Sequence, residues 1–178
     1  AWFAFERHDV VPDLITFAKG VNSGYVPLGG VLLSDAVAAT FDERVFPGGL
    51  TYSGHPLATA AAVATIEAMT SEGIVEHAHA IGVDVLGPAL AGLAERHDVI
   101  GEVRGEGVFW ALELVSDRAT REPVSAAVMG RIKSALFERD LLPFISENRI
   151  HVVPPCVVTA EEIAQAVAIY DDVLSTSI

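Results

Sequence analysis

Apolar positions fall in short runs, each broken by glycine, proline or charge. Leu14-Ile15-Thr16-Phe17-Ala18 is β-branched and aromatic and reads as a short buried strand. Val31-Leu32-Leu33 reads as another, and residues 20–30 between them form a glycine-rich loop in which Pro27 excludes a regular helix. Ser34 is placed to cap a helix over residues 35–40, and residues 44–55 are loop. Pro56 suits a first helical position, where its missing N–H costs nothing, and the alanine-rich run carries that helix to about Ser71, before Gly73. A second helix is predicted from Ile74 to about Arg96, with Ile74, Ala78, Ile81, Val85 and Leu93 at helical spacing. Gly87-Pro88 interrupts it. An interior proline costs about 3 kcal/mol in a straight helix, so a kink or break is expected there.

The pattern then changes. Residues 99–104 and 108–115 read as two strands around a Gly105-Glu106-Gly107 turn. Residues 117–123 are a polar loop, and Ser125 to Glu138 is a helix with Val128, Ile132 and Ala135 on one face. Ile150 to Val153 is a strand ended by Pro154-Pro155. Thr159 and Glu162 form a capping box ahead of a last helix bearing Ile163, Val167, Tyr170 and Leu174. The order predicts an α/β chain. Strands and a helix surround Lys19, a long helical connection follows, and a compact α+β unit closes the chain. The division is placed between residues 1–75 and 76–178, and no internal repeat appears.

Composition narrows the classes. The net charge of −13 over 178 residues argues against a nucleic-acid surface. A single cysteine, Cys156, excludes an internal disulfide and is expected to pack as a small hydrophobe. No run approaches the ~20 apolar residues of a membrane helix. The opening residues lack the basic-then-apolar pattern of a signal peptide, and a cytoplasmic protein is the expectation.

Lys19 is the residue with the most chemical content. It closes an apolar strand and opens a glycine-rich loop, Lys19-Gly20 followed by Gly24-Tyr25-Val26-Pro27-Leu28-Gly29-Gly30. Burial disfavours the charged ammonium, and a neutral amine is a nucleophile able to form a Schiff base. The ordinary alternative is a strand-end lysine reaching into water. Three other segments accompany it. They are Thr51-Tyr52-Ser53-Gly54-His55-Pro56-Leu57-Ala58, Val103-Arg104-Gly105-Glu106-Gly107-Val108-Phe109, and His151-Val152-Val153-Pro154-Pro155 with Thr159-Ala160-Glu161-Glu162. The remaining histidines show no metal-ligand spacing and read as surface or packing residues.

Taken together, these segments resemble the class III aminotransferases, the ω-aminotransferase branch of the pyridoxal-phosphate enzymes with the aspartate-aminotransferase-like fold (fold type I). The resemblance covers nearly the whole chain, which is similar to the C-terminal part of such a subunit. It implies the end of a three-layer α/β/α large cofactor-binding domain over 1–75 and a small α+β domain over 76–178. It implies pyridoxal 5'-phosphate as cofactor and Lys19 as the lysine that holds it as an imine, then moves a proton as general base and acid. It implies that Thr51 reaches the cofactor phosphate of a neighbouring subunit, and hence a homodimer with shared sites. An amino donor and a keto acid such as pyruvate would be the substrates.

Arg104 matches a small-domain arginine that either grips a substrate carboxylate or pairs with a protein carboxylate. Tyr25 either lines the site entrance or merely packs. Many family members carry an arginine at the position of His151, where it grips the α-carboxylate. Arg149, two residues earlier, is expected on the opposite face of the same strand. Three options follow: His151 binds the carboxylate, Arg104 does, or the donor lacks an α-carboxylate, as ω-amino acids, amino-sulfonates and simple amines do. The resemblance places the glycine-rich phosphate-binding turn, the ring-stacking aromatic residue and the acid partner of the pyridine nitrogen before Ala1. The chain alone is therefore expected to bind the cofactor poorly and turn over nothing. Decarboxylases and aminomutases of the same framework, and a non-catalytic assembly fragment, are the alternatives.

Overall fold

A computed structural model describes residues 1–177. The chain forms two compact units, one of residues Ala1–Val75 and one from Glu76 onward.

In the first unit, β1 (Leu14–Ala18) pairs antiparallel with β2 (Gly29–Leu33), with Phe17 opposite Gly30 and Ala18 opposite Gly29. Gly30 is required there, because a Cβ on it would come within 2.4 Å of the Phe17 ring. β1 is not the buried strand its composition predicts. Its residues alternate between exposed and half-buried, and Leu14, Val31, Leu32 and Leu33 are all exposed. Five residues of alternating burial need a second layer on each face to become core, and the unit supplies only part of one. A short helix, α1 (Asp35–Ala38), starts at Ser34, whose Oγ accepts from the Val37 N–H. α2 (Pro56–Ser71) begins with Pro56 in its first turn and buries Ala58 and Ala62.

The long second helix divides into three parts. α3 (Ile74–Ile81) leads into a π-helical turn over Gly82–Leu86, and α4 (Gly87–Arg96) follows. The expected proline break is thus resolved by widening the turn before Pro88. The Gly87 N–H donates to the Gly82 carbonyl, five residues back, so the ring of Pro88 meets no carbonyl at the usual spacing. The wide turn seats two glycines against the strand turn that follows. A Cβ on Gly82 would lie 2.0 Å from the Gly107 carbonyl oxygen, and one on Gly87 would lie 2.8 Å from the Trp110 ring. Trp110 Nε1–H donates to that same Gly107 oxygen at 2.7 Å.

The second unit is built on a mainly antiparallel sheet in the order β3-β4-β7-β6, with β5 beside β4. Its strands are β3 (Ile100–Glu106), β4 (Phe109–Asp117), β5 (Glu122–Pro123), β6 (Phe144–Ser146) and β7 (Arg149–Val152). Between them lies α5 (Ala126–Phe137), capped by Ser125, and after them α6 (Ala160–Thr176), opened by the Thr159–Glu162 capping box. One face of the sheet carries Ile100, Leu112, Leu114, Ile150 and Val152 into a core completed by Leu90 and Leu93 of α4, Ile132 and Leu136 of α5, and Val173 of α6. Cys156 does not join it. It is exposed in the turn after the two prolines, which carry the chain away from the sheet. Asp171 on α6 accepts from His97 at 2.5 Å and pairs with Arg96 at 3.3 Å, tying α6 to the end of α4. No helix among the described residues is long and apolar enough to cross a membrane.

Two outcomes test this packing. Gly82→Ala should destabilise the chain by about 1–3 kcal/mol, because its Cβ meets backbone that cannot yield. Gly130→Ala, in open space in α5, should instead stabilise it by about 0.5–1 kcal/mol. Urea unfolding of the two variants reads both signs. The hydrogen bond from His97, and then Arg96, holds the Asp171 carboxyl below its ordinary range. A depressed folded value means the stabilisation is present above the unfolded carboxyl range and is lost as pH falls from that range through the lowered folded value. The urea midpoint of Asp171→Asn should therefore trail the native midpoint at pH 7 and converge with it below about pH 4.

Candidate active site

In the first unit the functional candidates sit in two loops. The segment after β1 turns at once into a single 3-10 turn, Lys19–Asn22. Lys19 adopts φ +55°, a left-handed conformation that a non-glycine residue takes only when its surroundings hold it there. Its surroundings do. Asn22 is 1 % exposed, the one buried polar side chain described, and its amide donates to the Val26 carbonyl. The Ser23 N–H donates to Gly20 at 3.3 Å and the Tyr25 N–H to Asn22 at 3.1 Å. The buried amide thus closes the loop from within, and Lys19 is the residue at its neck. The Lys19 side chain is exposed rather than buried, so it is not desolvated by this chain's own residues. It forms no hydrogen bond or ion pair among the described residues. Tyr25, in the same loop, is 84 % exposed.

Thr51 opens the turn Thr51–Gly54 that precedes α2 and is also exposed. The Ser53 N–H donates to the Leu50 carbonyl at 3.0 Å, and Gly54 at φ +64° lets the chain enter the helix at Pro56. Short hydroxyl side chains and unpaired backbone N–H groups before a helix are suited to an oxyanion. An apolar groove of about 430 Å³ also lies in this unit, walled by Trp2, Phe17, Leu32, Ile66 and Met69 and floored by Ala18 and Gly20, the neighbours of Lys19.

In the second unit the candidates share one sheet face. β7 alternates, with Ile150 and Val152 buried and Arg149 and His151 half-buried. Arg149 and His151 therefore stand on the same face, not on opposite faces as expected, because side chains two residues apart on a strand point the same way. Pairing extends this into two rows across the sheet. One row holds Arg104, Ala111, His151 and Phe144; the next holds Glu102, Glu113, Arg149 and Ser146. Ala111, the smallest member, leaves a hollow of about 290 Å³ walled by Arg104, Phe109, Trp110, Arg149 and His151. The His151 ring lies 5.2 Å from that of Phe144 and 6.3 Å from that of Phe109.

Arg104 follows the second of its two readings. It donates to Glu102 at 3.0 Å and to Glu113 at 2.9 Å, and Arg121 binds the same two carboxylates from the β4–β5 turn. The quartet is charge-balanced. Hydrogen bonds from Arg121, and then Arg104, hold the Glu113 carboxyl below its ordinary range, and the Arg121 hydrogen bond does the same for Glu102. The Glu113 carboxylate in turn raises the Arg104 guanidinium. Sequence reasoning did not find Glu102, Glu113 or Arg121. Glu102 and Arg104 at alternate positions of one strand carried that signal, but Arg121 enters through pairing with β5, which two residues cannot announce. Among the described residues no group of histidine, cysteine and acidic side chains is placed to hold a metal ion.

Comparison with known proteins gives these features their setting. The family model "Aminotransferase class-III" matches residues 1–174. A taurine–pyruvate aminotransferase of Bilophila wadsworthia is 32% identical, covering 98% of this chain and 41% of that protein. A probable aminotransferase of Mycobacterium tuberculosis is 36% identical, covering 87% of this chain and 35% of its own. Among solved structures, the taurine:2-oxoglutarate aminotransferase of Bifidobacterium kashiwanohense, in complex with PLP and glutamate, superposes with a TM-score of 0.90 at 39% identity. It is covered over 97% of this chain and 40% of that one. An (S)-enantioselective ω-transaminase of Thermomicrobium roseum gives 0.91 at 35% identity, covering 100% of this chain and 40% of that one. The chain thus spans about two fifths of the length of the relatives it matches. On this evidence the chain belongs to the class-III aminotransferase family.

Proposed function

We propose that this chain is the lysine-bearing part of a pyridoxal-phosphate-dependent aminotransferase that moves an amino group from an amine, ω-amino acid or amino-sulfonate to a keto acid such as pyruvate. One observation carries the reading. Lys19 is fixed in a left-handed conformation at the neck of a loop closed by a buried asparagine, while its amine has no hydrogen-bond or ion-pair partner among the described residues. A lysine whose backbone is constrained and whose side chain is uncommitted fits covalent attachment better than a structural role. The relatives that match along nearly the whole chain are aminotransferases, which favours amino transfer over decarboxylation or amino-group migration.

The residues present fit their share of the cofactor's site. Lys19 Nζ is open to a carbonyl carbon, and Thr51 offers a hydroxyl and a backbone N–H suited to a phosphate. The family resemblance assigns that phosphate to a neighbouring subunit, so a homodimer is part of the proposal, as is a cytoplasmic setting. When bound, pyridoxal phosphate supplies the electron sink that stabilises negative charge at the donor carbon. Lys19 Nζ would be the group that holds the cofactor covalently, and its amine, when free, would be placed to move a proton as base and then acid. Tyr25, exposed on the same loop, stands at the entrance. Arg104 keeps the second unit's sheet face charge-balanced, and His151 faces the hollow beside it.

The chain has two lysines, Lys19 and Lys133, which makes the test internally controlled. Incubation with pyridoxal phosphate, borohydride reduction and peptide mapping should label Lys19 in clear preference to Lys133, whose ammonium lies 6.0 Å from the Phe137 ring centre. Lys19→Ala should abolish the preferred label. Equal labelling of both lysines would remove the catalytic assignment of Lys19. Turnover of the amino donor by the complete enzyme with no keto acid required would remove transamination.

A further inference from the structure

Lys19 does not stand where its own strand would put it. Along β1 the exposed residues are Leu14, Thr16 and Ala18, and the half-buried ones are Ile15 and Phe17. Alternation carried one residue further would place Lys19 on the face of Ile15 and Phe17, opposite Leu28. On β2 and the residue before it the same face is marked by the half-buried Leu28 and Gly30. That face is apolar, and Phe17 walls the groove there. Lys19 is exposed instead. The change happens at one bond. Ala18 is extended at φ −163° and ψ −168°, and Lys19 is left-handed at φ +55°. Rotation about N–Cα sets where Cβ leaves the preceding peptide, so this φ swings the lysine side chain off the strand's apolar face.

A residue with a Cβ does not hold that conformation unaided. Asn22 supplies the hold. It ends the same 3-10 turn, the turn packs against α2, and the side chain is buried. Its amide donates to the Val26 carbonyl. Val26 precedes Pro27, whose ring keeps it extended, so the accepting carbonyl is fixed as well. Inside this closure Ser23 and Gly24 are also left-handed, at φ +53° and +79°. A loop tied between residues 22 and 26 cannot open to lengthen β1 and β2 by one more pair, and Lys19 has to turn away where Ala18 and Gly29 end the ladder.

We propose that Asn22 is a positioning residue for Lys19: its buried amide keeps the lysine out of strand alternation, so that the amine is presented to a carbonyl carbon and does not lie along the apolar face of Phe17. Asn22 acts through the backbone and has no part in the chemistry itself. The hold rests on the loop alone. The reaction it serves rests on the function proposed above.

Two readouts on the 178-residue chain test it. The first needs no cofactor: the coupling between the Lys19 amide and α protons, read by NMR, reports φ. In Asn22→Ala it should rise from the left-handed value toward that of an extended residue. The second is incubation with pyridoxal phosphate, borohydride reduction and peptide mapping. The preference for Lys19 over Lys133 should be lost in the same variant. Ala64→Gly is the control for stability, because it weakens the first unit from an exposed position of α2, and it should leave coupling and preference as they are. Asn22→Leu, which keeps the buried volume, replaces Asn22→Ala if that variant does not fold. An unmoved Lys19 coupling in the folded Asn22 variant overturns the proposal. So does a preference that survives the change in coupling, or one that Ala64→Gly loses equally. If the native chain labels both lysines alike, the transaminase reading falls, and the coupling alone decides whether Asn22 holds the lysine. If the native chain and the Asn22 variant both prefer Lys19, the transaminase reading stands and the positioning role falls.

Discussion

The two-residue period of β7 is the constraint on which the second unit depends. Ile150 and Val152 go into the core, so Arg149 and His151 must go to the other face. Neither pair can be moved without the other. The same period, copied through pairing into β3 and β4, aligns Glu102 with Glu113 and Arg104 with Ala111. A core, a charge-balanced quartet and a hollow are therefore one consequence of a single strand register. A slip of one residue in β7 would put a guanidinium into the core and two apolar side chains into the hollow.

The quartet then sets the charge of that face. Two arginines satisfied by two glutamates keep the face from carrying a strong positive charge. Paired surface charges contribute little to stability by themselves. In the first unit the constraint is a single buried amide, which holds a left-handed lysine without touching its side chain.

Much of this was readable from the residues. The caps at Ser34, Ser125 and Thr159, the proline at the start of α2 and the strands on either side of Gly105-Glu106-Gly107 are local signals, and local signals survive translation into structure. What was not readable depends on partners distant in sequence. β6 is three residues long and exists because it pairs with β7. The π-helical turn reflects both Pro88 and a close approach to Gly107, and only the first is visible nearby. The outward face of Lys19 and the exposure of β1 could not be seen either, since burial depends on what lies opposite. The face of Arg149 was available in principle, because the alternation of a strand needs no partner to be counted.

The uneven distribution of apolar burial between the units has a consequence in time. The buried hydrophobic cluster lies wholly in the second unit, from Leu86 to Leu174, while the first unit presents Leu14, Val31, Leu32 and Leu33 to solvent. A ribosome makes the first unit first. At about 5–20 residues per second, the roughly one hundred residues of the second unit take about 5–20 s to follow. The buried cluster of the second unit does not exist until then, so the two units form their interiors at different times.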